Sequence, residues 1–367
     1  MVVISCIGTL ASIYLLESSW AKGRQPSAID SGKHTEQMTS RVCRATFPGL
    51  STENEVSHTV RPIYGNETNL NHGKIIDGRL YVRRWLENGL NTRALATFMA
   101  IYRAVLTAPE PIEDVEFVFG QADFPDPNSW ALTRQEPMDS VWVVPDYGFY
   151  SWPEPKIGSF EEVQRKSESI NQNIPWTMKE DVAFFRGAPQ GHEQRIQLLE
   201  MTANKTSFAD IKAIDWQDSS TRIDQWDHCK YRYLVHAEGN TYSGRLKYLL
   251  LCDSVILMRP MQWIQHFHPL LIDHGLEQNV VVIQEWQDLE RAVEELRTHP
   301  QKAQRIMRNM QRVRPYLSMT ATNCFWRELF RAYGRKQRAI AWPPMLDDED
   351  VPFESFILMR DTKWDMH

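Results

Sequence analysis

Three short stretches of the 367-residue chain carry residue types that could do chemistry together. Asp123 follows the apolar alternating run 115–121 and is pinned by Pro125, which restricts the backbone of the turn. A carboxylate at a strand end can take the proton from an attacking hydroxyl. It can equally cap a turn, and Asp126 can do the same. Arg186 follows the apolar run 182–185 and precedes Gly187. A guanidinium beside exposed backbone amides suits the paired oxygens of a diphosphate, although a surface ion pair explains it as well. The third stretch is Thr241-Tyr242-Ser243-Gly244-Arg245-Leu246-Lys247. A Ser–Gly pair opening a helix after a strand leaves N–H groups facing an anion, the helix dipole adds to the attraction, and Arg245 supplies a fixed positive charge. This is neither a Walker loop nor a GxGxxG fingerprint.

Other candidates have competing explanations. Trp130, Trp142, Trp152 and Trp176 offer indole faces that can stack on sugars in an acceptor groove, Trp130 and Trp152 foremost, yet core packing accounts for any one of them. His266-Phe267-His268 has the look of a metal pair but no third ligand nearby in sequence, and reads as structural. The Asp-x-Asp triplet Asp348–Asp350 lies in the polar, acidic stretch 341–367 and reads as solvated, so no metal site is expected. None of the five cysteines forms a CxxC pair, which excludes zinc-finger and thioredoxin-like motifs.

The elements that must position these residues follow from periodicity. Residues 74–107 read as a helix, 113–121 as a strand, 139–155 as another strand and 159–173 as a charged helix. A strand over 182–187 precedes a helix over 192–205, and a strand over 231–236 precedes a helix starting near Ser243. Strands over 253–258 and 279–286 and helices over 287–298, 300–313 and 320–335 complete the pattern. Strands alternating with helices imply parallel sheets covered on both faces, and the expected fold is α/β with two Rossmann-like units facing a cleft. In such sheets ligands bind beyond the carboxyl ends of the strands, which is where Asp123, Arg186 and Ser243 fall.

Composition bounds the classes. With 41 Lys+Arg against 47 Asp+Glu, a formal charge of −6 and no basic block, the chain is not built to neutralise nucleic-acid phosphates. An apolar content of 42% with 24% charged residues excludes a disordered chain. Residues 1–21 read as a signal peptide or a short signal anchor of the membrane, with an alternative as a buried first element. Residues 22–50 read as a polar stem, and Asn66 and Asn204 stand in N-glycosylation sequons. Cys229 and Cys252, 23 residues apart, fall at the same end of one strand–helix unit, opposite the expected anion site. They can bridge there or remain two buried thiols.

Taken together, the segments 228–257, AFFRGAPQGHEQR, the strand with its Asp-Phe-Pro-Asp turn, and Tyr147-Gly148-Phe149-Tyr150-Ser151-Trp152-Pro153-Glu154-Pro155 resemble glycosyltransferase family 90 over about residues 110–335. That family holds the animal Rumi-type protein O-glucosyltransferases and the fungal capsule-associated xylosyltransferase-like proteins. The resemblance implies the GT-B architecture: an acceptor-side unit over 51–175, a UDP-sugar unit over 176–313, a helix over 314–340 packing back on the N-terminal half, and an acidic tail over 341–367. It implies inverting, metal-independent transfer of glucose or xylose from a UDP-sugar to a hydroxyl of a protein or polysaccharide acceptor in the secretory pathway, within the endoplasmic reticulum or Golgi lumen, with no cofactor. Asp123 matches the family's base, and Arg186 with Gly187, and Ser243-Gly244-Arg245, match its donor loops. Leu246 departs from the aromatic residue of the animal enzymes. Cys229–Cys252 matches a family disulfide, and Cys324 matches a cysteine tied to the N-terminal region, where Cys43 is the available partner; Cys6 is left over. A degenerate member acting as a sugar- or protein-binding module, and a nucleotide-sugar hydrolase, are the alternatives.

Overall fold

A computed structural model describes residues 39–46, 60, 63, 69–87, 89–138, 140–153, 155–189, 192–340 and 344–360. The first sheet begins with a hairpin, β1 (Asn71–Ile76) and β2 (Arg79–Arg84), turning at Asp77 (φ 49°) and Gly78 (φ 69°). This corrects the helix expected over 74–107. An Asp-Gly dipeptide supplies the two positive-φ residues of a tight hairpin turn, and that local preference outranks the helical spacing of the apolar residues around it. The helix starts only at α2 (Asn91–Leu106), which buries Ala94, Phe98, Ile101 and Val105. Phe98 packs on Phe117 and Phe119 of β3 (Val115–Phe119).

Beyond β3 the sheet continues through β4 (Trp130–Ala131) and β5 (Trp142–Val143), and with β13 (Val351–Pro352) at the far edge its full order is β13-β2-β1-β3-β4-β5. The β3-β4-β5 part is parallel, while β1 runs antiparallel to both neighbours, so this sheet is mixed. Trp130 is fully buried, stacked on Phe117 at 4.2 Å and flanked by Trp326, Phe330 and Tyr333. Trp142 is buried against Tyr333. Trp130 is therefore core and lines no acceptor groove: its place on an inner strand under α8 (Met319–Ala339) decides it.

Residues 344–360 are not a free tail. Lys74 of β1 ion-pairs with Asp350 at 2.7 Å, Arg83 of β2 pairs with Asp347 and Glu349, and Asp350 is almost wholly buried. Of the Asp-x-Asp triplet, Asp348 and Glu349 are thus exposed as expected, while Asp350 is tied down by Lys74 of the first hairpin. β13 (Val351–Pro352) then joins the sheet edge beside β2, and α9 (Phe353–Leu358) sinks Phe353 against Phe98 and Tyr102.

A small hairpin, β6 (Ser151–Trp152) with β7 (Gly158–Ser159), leads into α3 (Phe160–Asn173), capped by Ser159. The apolar face of α3, through Phe160 and Val163, packs on Phe184, Leu246 and Tyr248. α3, which precedes the boundary read near 175, thus shares a core with the second sheet.

The second sheet is wholly parallel: β8 (Glu180–Gly187), β9 (Ala209–Ala213), β10 (Tyr231–His236), β11 (Val255–Met258) and β12 (Val281–Val282), in the order β12-β11-β10-β8-β9. Its helices are α4 (Glu193–Thr202), the single turn α5 (Leu246–Leu249), α6 (Leu289–Thr298) and α7 (Pro300–Gln311). In this doubly wound order the chain reverses direction across the sheet between β8 and β10, and a crevice opens at their carboxyl ends. From there α8 returns to cover the first sheet, as expected of the C-terminal helices. Cys43 of α1 (Ser40–Thr46) bridges Cys324 of α8, and Cys229 bridges Cys252 with Cα atoms 4.7 Å apart. Among the described residues no helix is long and apolar enough to cross a membrane. Residues 1–38 and Asn66 lie outside the described residues. Asn204 is exposed in the turn after α4.

Candidate active site

The crevice at the β8/β10 switch is a cavity of about 550 Å³, within the size range of small-molecule sites. Its wall brings together residues that the sequence places far apart: Arg93, Asp123, Tyr147 and Trp152 from the first unit, and Arg186, Gly187, Arg195, Ser243, Gly244 and Arg245 from the second.

Asp123 stands on the loop after β3 with its side chain 41% exposed. Arg93 of α2 donates to one carboxylate oxygen at 3.1 Å, and Asn240 reaches the other at 3.5 Å. Thr241 donates to the Asp123 backbone carbonyl at 2.9 Å, so the loop after β10 grips the loop after β3 across the cleft. The carboxylate is accordingly oriented by a cation and not used as a turn cap. Arg93 itself lies 4.9 Å over the Tyr147 ring, which fixes it from the other side.

The opposite wall is cationic. Arg245 lies 4.4 Å over the Phe185 ring, and Arg195 of α4 donates to the Ala188 carbonyl at 2.9 Å and approaches the Ser243 hydroxyl at 3.4 Å. Arg245 Nε also points at Ser243 Oγ, at 3.5 Å. The buried Arg245 Nη2 and Arg195 Nε have no hydrogen-bond partner among the described residues. No carboxylate among the described residues pairs with Arg245, whose charge faces only that of Arg195; burial first, and Arg195 second, hold Arg245 well below its ordinary basicity. Burial lowers Arg195 to about 10, partly offset by Asp123. Two desolvated like charges with open donors and a hydroxyl between them form a site that an anion would relieve. Gly187 makes room here, since a Cβ on it would lie 3.0 Å from Arg245 Nη1.

Arg186 is in the wall but otherwise committed. Its guanidinium donates to the Phe185 carbonyl and to the backbone and carboxylate of Asp210 on β9, at 2.8–2.9 Å. The helix after Ser243 is the four-residue α5, so charge and side-chain donors, not a helix dipole, make this wall attractive to an anion. Trp152 does line the cavity, with its ring against Gly244, while Trp176 packs on Tyr233.

Near the cationic wall lie three buried histidines, His228, His236 and His268, and the half-buried His266. Burial, with Arg245 next, lowers His228 to about 4, and His236 is held far below its ordinary value for the same two reasons. Burial lowers His266, and takes His268 down to about 3. His266 packs edge-on to Phe149 and Phe325, and His268 Nδ1 accepts from the Gln265 N–H, so the pair is structural.

Sequence reasoning missed Arg93, Arg195 and the wall of Trp216, Arg222 and His228. Each sits on an element whose orientation toward the cavity depends on packing, and no local motif marks them. Arg195 had one available signal: it lies on the first turn of the helix following the Arg186–Gly187 strand end.

A family model described as Glycosyl transferase family 90 matches residues 56–344. The O-glucosyltransferase rumi of Drosophila pseudoobscura pseudoobscura is 25% identical over 290 residues, spanning 71% of this chain and 68% of that one. The rumi homolog of Aedes aegypti is 26% identical over 252 residues, spanning 61% and 62%. Human Protein O-glucosyltransferase 1 is 23% identical over 250 residues, spanning 61% and 63%. Aligned segments thus span about two thirds of these relatives' lengths. A crystal structure of Anabaena HepE in complex with UDP-glucose overlaps 48% of this chain and 45% of that one at a TM-score of 0.27 and 14% identity, a likeness too slight to carry an argument. With its model matched over most of the length and its site assembled from the segments that carry the resemblance, the chain belongs to glycosyl transferase family 90.

Proposed function

We propose that this protein is an inverting, metal-independent glycosyltransferase that moves glucose or xylose from a UDP-sugar to a hydroxyl of a protein or polysaccharide acceptor. The observation that carries the reading is the pairing of opposites across one cavity: an oriented, accessible carboxylate on one wall and, on the other, two desolvated arginines that form no ion pair among the described residues. Relatives named O-glucosyltransferases support the reaction class.

In the proposed step Asp123 takes the proton of the acceptor hydroxyl as that oxygen attacks the anomeric carbon of an α-linked donor. The bond from that carbon to the diphosphate oxygen breaks with its electron pair, leaving UDP and a β-linked product. Arg245, Arg195 and the Ser243 hydroxyl are placed to take the charge that develops on the leaving diphosphate, work that a divalent cation performs in other transferases. Arg93 orients the base, and Arg186 shapes the floor through Asp210. Trp152, beside Gly244, is the aromatic face for a sugar ring. The two disulfides fit an oxidising compartment, and we place the folded chain in the lumen of the secretory pathway.

The test is UDP release from a panel of UDP-sugars, with peptide and glycan acceptors, in the presence and absence of EDTA. The reading expects acceptor-stimulated release that survives EDTA. Strong inhibition by EDTA would overturn metal independence, and release indifferent to acceptor would make the protein a hydrolase.

A further inference from the structure

Lys247 and Asp146 are both about 1% exposed and face each other at the junction of the two units. Lys247 belongs to α5, directly after the Ser243–Arg245 loop; Asp146 belongs to the first unit, at the turn leading into β6. The ammonium donates to Asp146 Oδ1 at 2.8 Å and Oδ2 at 3.0 Å, and to the Gly244 carbonyl at 2.7 Å. Asp146 also accepts the Gly148 N–H at 2.7 Å and the Gln265 amide at 3.0 Å. Tyr248, the next residue on α5, donates to the Gly148 carbonyl at 3.2 Å. The fit is close: a Cβ on Gly148 would lie 2.6 Å from Lys247 Cε.

A buried ion pair is not in itself evidence for stability, because desolvation offsets much of the attraction. Here its geometry does something that an apolar pair could not. One ammonium joins the carbonyl of the middle residue of the proposed diphosphate loop to a carboxylate on the other unit. That carboxylate, through Gly148, fixes the turn that carries Tyr147 and Trp152, two further walls of the cavity. Among the described residues no other ion pair links the two units through the loop that carries Ser243 and Arg245.

We infer that Lys247 and Asp146 are positioning residues: a latch that holds the Ser243–Gly244–Arg245 loop against the first unit in the geometry that receives the donor diphosphate. The inference rests on the reading of this cavity as a UDP-sugar site. Neither side chain is required to touch the donor. Loosening the latch lets the Gly244 peptide turn and Arg245 drift, so the cost appears in donor affinity.

The experiment compares wild type with Asp146→Asn, which keeps the size and an acceptor oxygen, and with the double variant Asp146→Leu/Lys247→Met, which replaces the pair by apolar side chains of similar volume. Three quantities are read on the folded fraction: thermal midpoint, affinity for UDP by calorimetry, and KM for acceptor. A charge-assisted hydrogen bond lost from the loop should weaken UDP binding roughly 10- to 100-fold in the double variant, with acceptor KM unchanged. Asp146→Asn should lose less and recover part of the affinity. A merely structural role would lower the midpoint and leave the affinity of the folded fraction where it was. Native UDP affinity in a folded variant would overturn the latch while leaving the functional reading standing; failure of the wild type to bind UDP would overturn both. Should the double variant not fold, Asp146→Asn and Gly148→Ala, which displaces the Lys247 side chain without removing charge, carry the same expectation and the same contrary result.

Discussion

At Asp123 one carboxylate oxygen meets a guanidinium, the other meets only the distant Asn240 amide, and the side chain is 41% exposed, so the group stays oriented yet can reach a substrate. Arg93→Ala should therefore slow transfer while leaving UDP affinity close to native; steady-state kinetics beside calorimetry check this. On the other wall, Arg245→Ala or Arg195→Ala should weaken UDP by roughly 10- to 100-fold, the scale of one charge-assisted hydrogen bond. An undiminished affinity would remove that arginine from the site. Asp123, Ser243 and Arg245 were legible in the sequence because strand ends and their loops mark themselves by local pattern. Arg195 and Arg93 were not, since only the packing of α4 and α2 turns them into the cavity. Trp130 shows the converse: an indole suits a sugar groove and a core equally in sequence, and its stack on Phe117 beneath α8 settles the matter.

Among the elements, four of the five strands of the second sheet were readable as short apolar runs, whereas β9, whose Ala-Asp-Ile-Lys-Ala is half polar, was not read as a strand. The first sheet was harder. Its hairpin hides inside apolar spacing that also fits a helix, and its edge is completed by β13, whose Val351 pairs with Val82 from 269 residues away, a pairing that no local pattern announces. The same long reach brings Asp350 onto Lys74 and the exposed Asp347 and Glu349 onto Arg83, pairings that the acidic stretch read alone does not show. Two expectations belong here. Trp130→Ala should cost about 3–5 kcal/mol by emptying the centre of the first core, measured by urea unfolding. Removing Cys229–Cys252 by a double serine substitution should cost about 3 kcal/mol, since the 23-residue separation closes a loop of moderate length. A loss below experimental error would mean that this strand–helix unit does not depend on its bridge.

Taken whole, the molecule keeps several titratable groups uncharged in its interior, and that gives it an acid-sensitive stability. An unfolded histidine takes up a proton near pH 6.5, whereas folded His228 stays neutral down to about 4 and folded His268 down to about 3. Below about pH 6.5 the unfolded state binds more protons than the folded one, so stability falls as pH falls. Each such histidine removes about 1.4 kcal/mol per pH unit until its own folded value is reached. The thermal midpoint should hold above pH 7 and drop steeply between pH 6.5 and 5, and His268→Asn should flatten that slope. A midpoint constant over this range would show that these histidines are not held neutral.

The most direct test of the central claim pairs two assays on wild type and Asp123→Asn: UDP release from a UDP-sugar with acceptor present, and UDP binding by calorimetry. The account predicts EDTA-resistant release by wild type, loss of release by at least about a hundredfold in the variant, and equal UDP affinity in both. Asp123→Asn protein that transfers sugar at the wild-type rate would contradict it.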